Sequence, residues 1–157
     1  MRTLEALKAA SAITLLLPMI ALTSTAARAS EVEFLSAPDT ETLGLPFSEA
    51  VRVGDMLYLS GQVGNRPGEL AVVPGGLAAE ARQVMDNIRA VLERHGAGME
   101  DIVKCTVMID DIDQWGDFNE VYVTYFPGPK PARSAFGADG LALGAALEVE
   151  CWAHVGD

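Results

Sequence analysis

Leu77-Ala78-Ala79-Glu80-Ala81-Arg82-Gln83-Val84-Met85-Asp86-Asn87-Ile88-Arg89-Ala90-Val91-Leu92-Glu93-Arg94-His95 is the stretch that decides the fold. Leu77, Ala81, Val84, Met85, Ile88, Val91 and Leu92 recur at three- and four-residue steps, which gathers them on one stripe of a helix. Gly96 follows at the position where a helix ends in a left-handed turn. A helix with one apolar stripe must bury it against another layer, and the neighbouring segments supply strands.

Upstream, Ser48-Glu49-Ala50-Val51-Arg52-Val53 and Met56-Leu57-Tyr58-Leu59-Ser60 flank Gly54-Asp55, a tight hairpin with glycine first in the turn. Residues 31–36 alternate enough for a first strand. Residues 61–76 are rich in Gly and Pro and read as a long loop. Downstream, residues 101–109 form a β-branched strand. Asp113 can cap a second helix over residues 114–126, with Trp115, Phe118, Tyr122 and Tyr125 or Phe126 turned inward. Residues 133–136 and 147–155 are the last strands. Six strands and two helices in mixed order predict an α+β domain, one mixed sheet with both helices on one face. The other face then needs cover, and self-association supplies it most economically.

Residues 1–29 are a separate object. Arg2 and Lys8 precede an uncharged apolar stretch over residues 9–22, and Ala27-Arg28-Ala29 places small residues at the two positions read in cleavage. That order is a secretory signal peptide; the apolar part is short for a permanent span, and an uncleaved anchoring N-terminus is the alternative. Cleavage leaves one domain over residues 30–157, periplasmic or secreted, with no stable membrane association. The chain carries a formal net charge of -11, and loss of a leader of net +2 takes it to -13. Such a surface repels phosphate backbones and argues against nucleic-acid binding.

Cys105 and Cys151 each lie in a strand-like run and, by alternation, point with apolar neighbours. Two buried thiols acting as small hydrophobes is the favoured reading. In an oxidising compartment a bridge is the alternative, and it requires neighbouring strands in register, which spacing does not reveal. With no CxxC pair and only His95 and His154 as imidazoles, a metal site is not expected.

Two positions offer chemistry. Arg133 opens a strand after Lys130-Pro131-Ala132, and a guanidinium fixed there can grip a carboxylate through two parallel hydrogen bonds. An ion pair with an acidic neighbour is the alternative. Glu148 and Glu150 share one strand face, where a carboxylate can orient and deprotonate water; ordinary solvent-facing residues would look the same.

Several segments, in order, resemble the RidA/YjgF family of enamine/imine deaminases: Pro46-Phe47-Ser48-Glu49-Ala50-Val51-Arg52-Val53-Gly54-Asp55, Leu57-Tyr58-Leu59-Ser60-Gly61-Gln62, Gln83-Val84-Met85-Asp86-Asn87-Ile88, Asp101-Ile102-Val103-Lys104, Phe118-Asn119-Glu120-Val121-Tyr122, Pro131-Ala132-Arg133-Ser134 and Leu147-Glu148-Val149-Glu150. The resemblance implies a chorismate-mutase-like fold and a homotrimer with three sites between subunits. It implies hydrolysis of small 2-imino or 2-enamino acids to 2-keto acids and ammonia, with no cofactor and no metal. It casts Arg133 as the holder of the substrate carboxylate and Glu148 as the group that positions water. Phe47, Gly61, Asn119 and Ala135 fall at substrate-binding positions, Phe47 where many relatives carry Tyr and Ala135 where Cys or Thr is common. A non-catalytic trimeric protein that binds small metabolites is the competing expectation.

Overall fold

The computed structural model describes residues 31–38 and 42–156. The expected signal peptide, residues 1–29, lies outside the described residues.

Seven strands form one sheet: β1 (Val32–Leu35), β2 (Ala50–Val53), β3 (Met56–Leu59), β4 (Gln62–Val63), β5 (Ile102–Ile109), β6 (Ala132–Gly137) and β7 (Leu147–His154). Helix α1 (Leu77–Arg94) precedes β5, and α2 (Trp115–Tyr122) lies between β5 and β6. The strand order is β1-β2-β3-β7-β5-β6, with β4 also paired to β7. Neighbours are antiparallel except β5 and β6, which run parallel. A parallel pair needs a crossover, and α2 is that crossover. The mixed α+β architecture is as expected, but the strand count is seven rather than six. The extra strand is β4, two residues inside the stretch expected to be loop; it continues the line of β3 onto β7 at Val149 and Glu148.

The sequence stripe of α1 is its buried face: Leu77, Ala81, Val84, Met85, Ile88, Val91 and Leu92 are buried, as is Glu80. The helix ends as the glycine predicts. Gly96 has φ 77°, its N–H donates to the Glu93 carbonyl, and the Ala97 N–H reaches back to Leu92 at 2.8 Å. Those two bonds satisfy carbonyls that a helix end otherwise leaves open. Gly54, at φ 58°, makes the β2–β3 turn where a side chain would be strained.

The second helix departs from expectation at both ends. Asp111, not Asp113, is the cap: its carboxylate accepts the Asp113 N–H at 3.1 Å and opens a 3₁₀ turn over Ile112–Gln114. The α-helical part stops at Tyr122 and gives way to a 3₁₀ turn, Val123–Tyr125. Phe118 and Tyr122 are buried, but Trp115, expected inside, is 46% exposed at the helix's first position.

The buried face of the sheet presents Leu57, Leu59, Val107, Ile109, Leu147, Val149 and Ala153 to both helices. Cys105 and Cys151 belong to this face and stand directly opposite each other in the β5–β7 register, with Cα atoms 4.1 Å apart. They are joined as a disulfide. The favoured expectation of two free thiols is therefore corrected: both side chains are fully buried, as expected, but register brings them into bonding reach. The opposite face carries Phe34, Trp152 and Phe136, at 74%, 40% and 50% exposure. Edge-to-face contact between Tyr58 and Trp152 leaves that apolar surface open.

Candidate active site

The six residues singled out from the sequence fall into two groups on one chain. Arg133, Asn119 and Ala135 form the first. Arg133 is paired with Cys105 across the parallel β5–β6 ladder, so its side chain leaves the sheet on the helix-covered side. There α2 receives it. The guanidinium carbon lies 4.7 Å from the Tyr122 ring centroid, 5.6 Å from Phe118 and 5.7 Å from Trp115. Nη2 donates to Asn119 Oδ1 at 2.7 Å. Among the described residues, no carboxylate lies within salt-bridge distance of it. A cation steadied by ring faces and one amide oxygen keeps most of its five donors for something else. Asn119 stands one residue after Phe118 and three before Tyr122, so one turn of α2 supplies both the aromatic support and the amide. Ala135 follows two residues along β6 on the same side and is exposed.

Burial, set against the neighbouring Arg133, raises the Tyr122 phenol above its ordinary value, so it stays neutral beside the guanidinium. Its hydroxyl is buried without a hydrogen-bond partner.

Phe47, Gly61 and Glu148 form the second group and line one cavity of about 440 Å³. Glu148 is the second residue of β7 and points to the sheet's other face, with Glu150, by strand alternation. Its side chain lies across the backbone of Gly61, where a Cβ would collide with Oε1. Glycine there lets the Glu148 carboxylate lie where it does. Burial first, and Glu150 second, push the Glu148 carboxyl above the usual carboxylate range. That is the direction that makes a carboxylate a better proton acceptor near neutral pH. Phe47 is 52% exposed at the cavity wall.

The surrounding frame explains how Gly61 is held. Ser60 Oγ donates to the Ser48 carbonyl at 2.7 Å, and Ser60 N–H to that of Glu49 at 3.0 Å. Asn87, on α1, donates to the carbonyls of Val63 and Asn65 and so fastens the loop after β4. Sequence reasoning missed one polar cluster at the cavity: Glu49 is 8% exposed and pairs with both Arg94 and His95, the latter at 2.9 Å. No spacing rule brings a strand-entry glutamate to a helix end 45 residues on.

Within one chain the two groups do not meet. Arg133 leaves the sheet on the helix side from the edge strand, and Glu148 leaves on the open side from a central one. Such a chain carries a guanidinium with no carboxylate partner among the described residues and a carboxyl of raised proton affinity, on opposite faces of a small α+β frame.

The frame itself is a small α+β domain with a mixed sheet and two helices, and comparison with known proteins places it in a family. The chain belongs to the RidA/YjgF family: the model described as endoribonuclease L-PSP matches residues 36–155. The mouse and rat proteins named 2-iminobutanoate/2-iminopropanoate deaminase are 40% and 41% identical, over 71% and 70% of this chain and 82% and 80% of theirs. Among solved structures, a Thermotoga maritima protein described as a putative endoribonuclease is similar with a TM-score of 0.70 and 32% identity, covering 83% of this chain and 98% of that one. The E. coli YjgF gene product follows at a TM-score of 0.65 and 35% identity, covering 70% and 88%.

Proposed function

We propose that the chain is a hydrolytic deaminase of small 2-imino and 2-enamino acids, working outside the cytosol as a homotrimer, with Arg133 of one subunit and Glu148 of the next facing a shared cleft. The observation that carries this reading is the Arg133 guanidinium: ring faces and an amide oxygen hold it, and no carboxylate neutralises it among the described residues. The open apolar face, with Phe34 and Trp152 exposed, supports association. Relatives named as imine deaminases support the chemistry.

In this mechanism Arg133 binds the substrate carboxylate through two parallel N–H donors, which fixes the imine carbon over the neighbour's Glu148. Glu148, with its raised proton affinity, takes a proton from water as the oxygen bonds to the imine carbon. The electron pair of the C=N bond moves to nitrogen, which receives that proton back from Glu148, giving a carbinolamine. Glu148 then accepts the carbinolamine's hydroxyl proton and passes it to nitrogen as the C–N bond breaks, so ammonia leaves and the 2-keto acid forms. An enamine enters the same path after taking a proton at carbon. All these steps use side chains, water and substrate only.

The word endoribonuclease in the family's description suggests a different substrate. A chain of net charge -11 opposes the approach of an RNA backbone, whereas a single carboxylate needs only the local positive field at Arg133.

The test generates 2-iminopropanoate with an amino-acid oxidase and traps it as a semicarbazone. Active protein lowers the trapped yield. Arg133→Ala, losing about 1.5–3 kcal/mol of charge-assisted binding together with its orienting effect, restores it. Imine hydrolysis unchanged in Arg133→Ala rejects the assignment; binding without faster hydrolysis selects a trimeric metabolite-binding protein instead.

A further inference from the structure

Resting on that proposed function, we infer that the Glu148 half-site is built for imino acids with a bulky apolar side chain rather than for the three- and four-carbon acids in its relatives' names. Size is the first argument. A cavity of about 440 Å³ falls in the range that encloses ligands much larger than a three-carbon acid.

The walls are the second. Leu43 and Leu45 come from the segment before β2, Phe47 follows them, Leu70 comes from the loop after β4, and Leu143 from the loop before β7. Three separate pieces of chain thus bring five large apolar side chains to one space. In the single chain Phe47, Leu70 and Leu143 are 52%, 60% and 44% exposed. Glu148 over Gly61 sets the reacting end, which leaves the ligand's side chain among the leucines; Glu49 and Arg94, paired with each other, also line the cavity.

Leu143 is the third. It has φ 60° and ψ 14°, the one positive φ outside glycine among the described residues. Glycine or asparagine relaxes in that conformation and leucine does not. The strain is spent on holding a branched apolar side chain at the cavity wall, where a smaller residue would suit the backbone better.

Each additional buried CH₂ is worth about fourfold in affinity, so three extra carbons, even half buried, give about tenfold or more. The experiment compares 2-imino-4-methylpentanoate with 2-iminopropanoate in the trapping assay. In parallel, calorimetry compares the stable keto acids 4-methyl-2-oxopentanoate and pyruvate, which reads the same preference whether or not the protein turns substrate over. The expected result is kcat/KM and affinity at least about tenfold higher for the branched compound, with that ratio collapsing in Leu143→Asn and in Leu70→Ser. Loss of hydrolysis on every imine, with the keto-acid preference intact, refutes the deaminase reading and leaves this one standing. Equal or reversed preference in both assays, or a ratio unmoved by both variants, overturns it.

Discussion

Breaking the Cys105–Cys151 bridge gives the most quantitative consequence of the fold. The bond spans 46 residues and ties β5 to β7, two interior strands of the sheet. Releasing a loop of that length returns about 13–14 cal/mol/K of chain entropy to the unfolded state in the loop-closure treatment, or about 4 kcal/mol at 25 °C. Residual structure in the unfolded chain lowers this, so a loss of about 3–4 kcal/mol is expected. For a domain of this size that corresponds to roughly 10–15 °C in Tm. Reduction keeps both sulfur atoms in place, so no core atom is removed and the packing term largely cancels.

The assay is urea unfolding of oxidised protein with and without a phosphine reductant applied above the transition and then diluted. The reduced protein should unfold at a lower midpoint and with an equal or steeper slope, because its unfolded state is no longer looped. Both sulfurs are fully buried, so native protein should resist the same reductant until it opens. Equal midpoints, or two alkylatable thiols in protein never exposed to reductant, would refute the reasoning.

Glu148→Gln should lower imine hydrolysis about a hundredfold or more while raising thermal stability at neutral pH. The sign follows from the raised carboxyl: a folded-state proton affinity above the unfolded one favours folding below the unfolded value and loses that contribution as pH rises through the folded one. Tm measured against pH should show the variant's advantage above the raised value and its disappearance below the ordinary carboxylate range. A variant no more stable than the wild type at neutral pH counts against burial as the cause. Gly61→Ala should push the Glu148 carboxylate aside and reduce turnover by about tenfold or more, with circular dichroism unchanged; full activity in that variant would mean that Glu148 is not needed where it lies.

The parts of the fold legible in the sequence are those set by local periodicity. Helix α1 ends within one residue of the expected position because its stripe and Gly96 agree, and alternation along β7 separates Leu147, Val149 and Cys151 from Glu148 and Glu150. What stayed hidden depends on pairing. The register that sets Cys105 against Cys151, the parallel β5–β6 ladder that turns Arg133 toward α2, and the two-residue β4 are all contacts between distant segments. Asp111 took the capping role from Asp113 because a 3₁₀ turn precedes the helix, and that shift left Trp115 outside beside Arg133. Arg133 and Glu148 stood out by residue type and place, and the family resemblance added Phe47, Gly61, Asn119 and Ala135; their division between two faces of one sheet became visible only in three dimensions.

The most direct measurement of a site shared between chains is subunit complementation. Arg133→Ala and Glu148→Gln proteins are each prepared, unfolded, mixed in equal amounts and refolded together, then assayed for imine hydrolysis. If each cleft draws its guanidinium from one copy and its carboxylate from the next, random mixing rebuilds about a quarter of the clefts intact, and activity should return to about a quarter of the wild-type value. Mixtures as inactive as the separate variants would contradict the account.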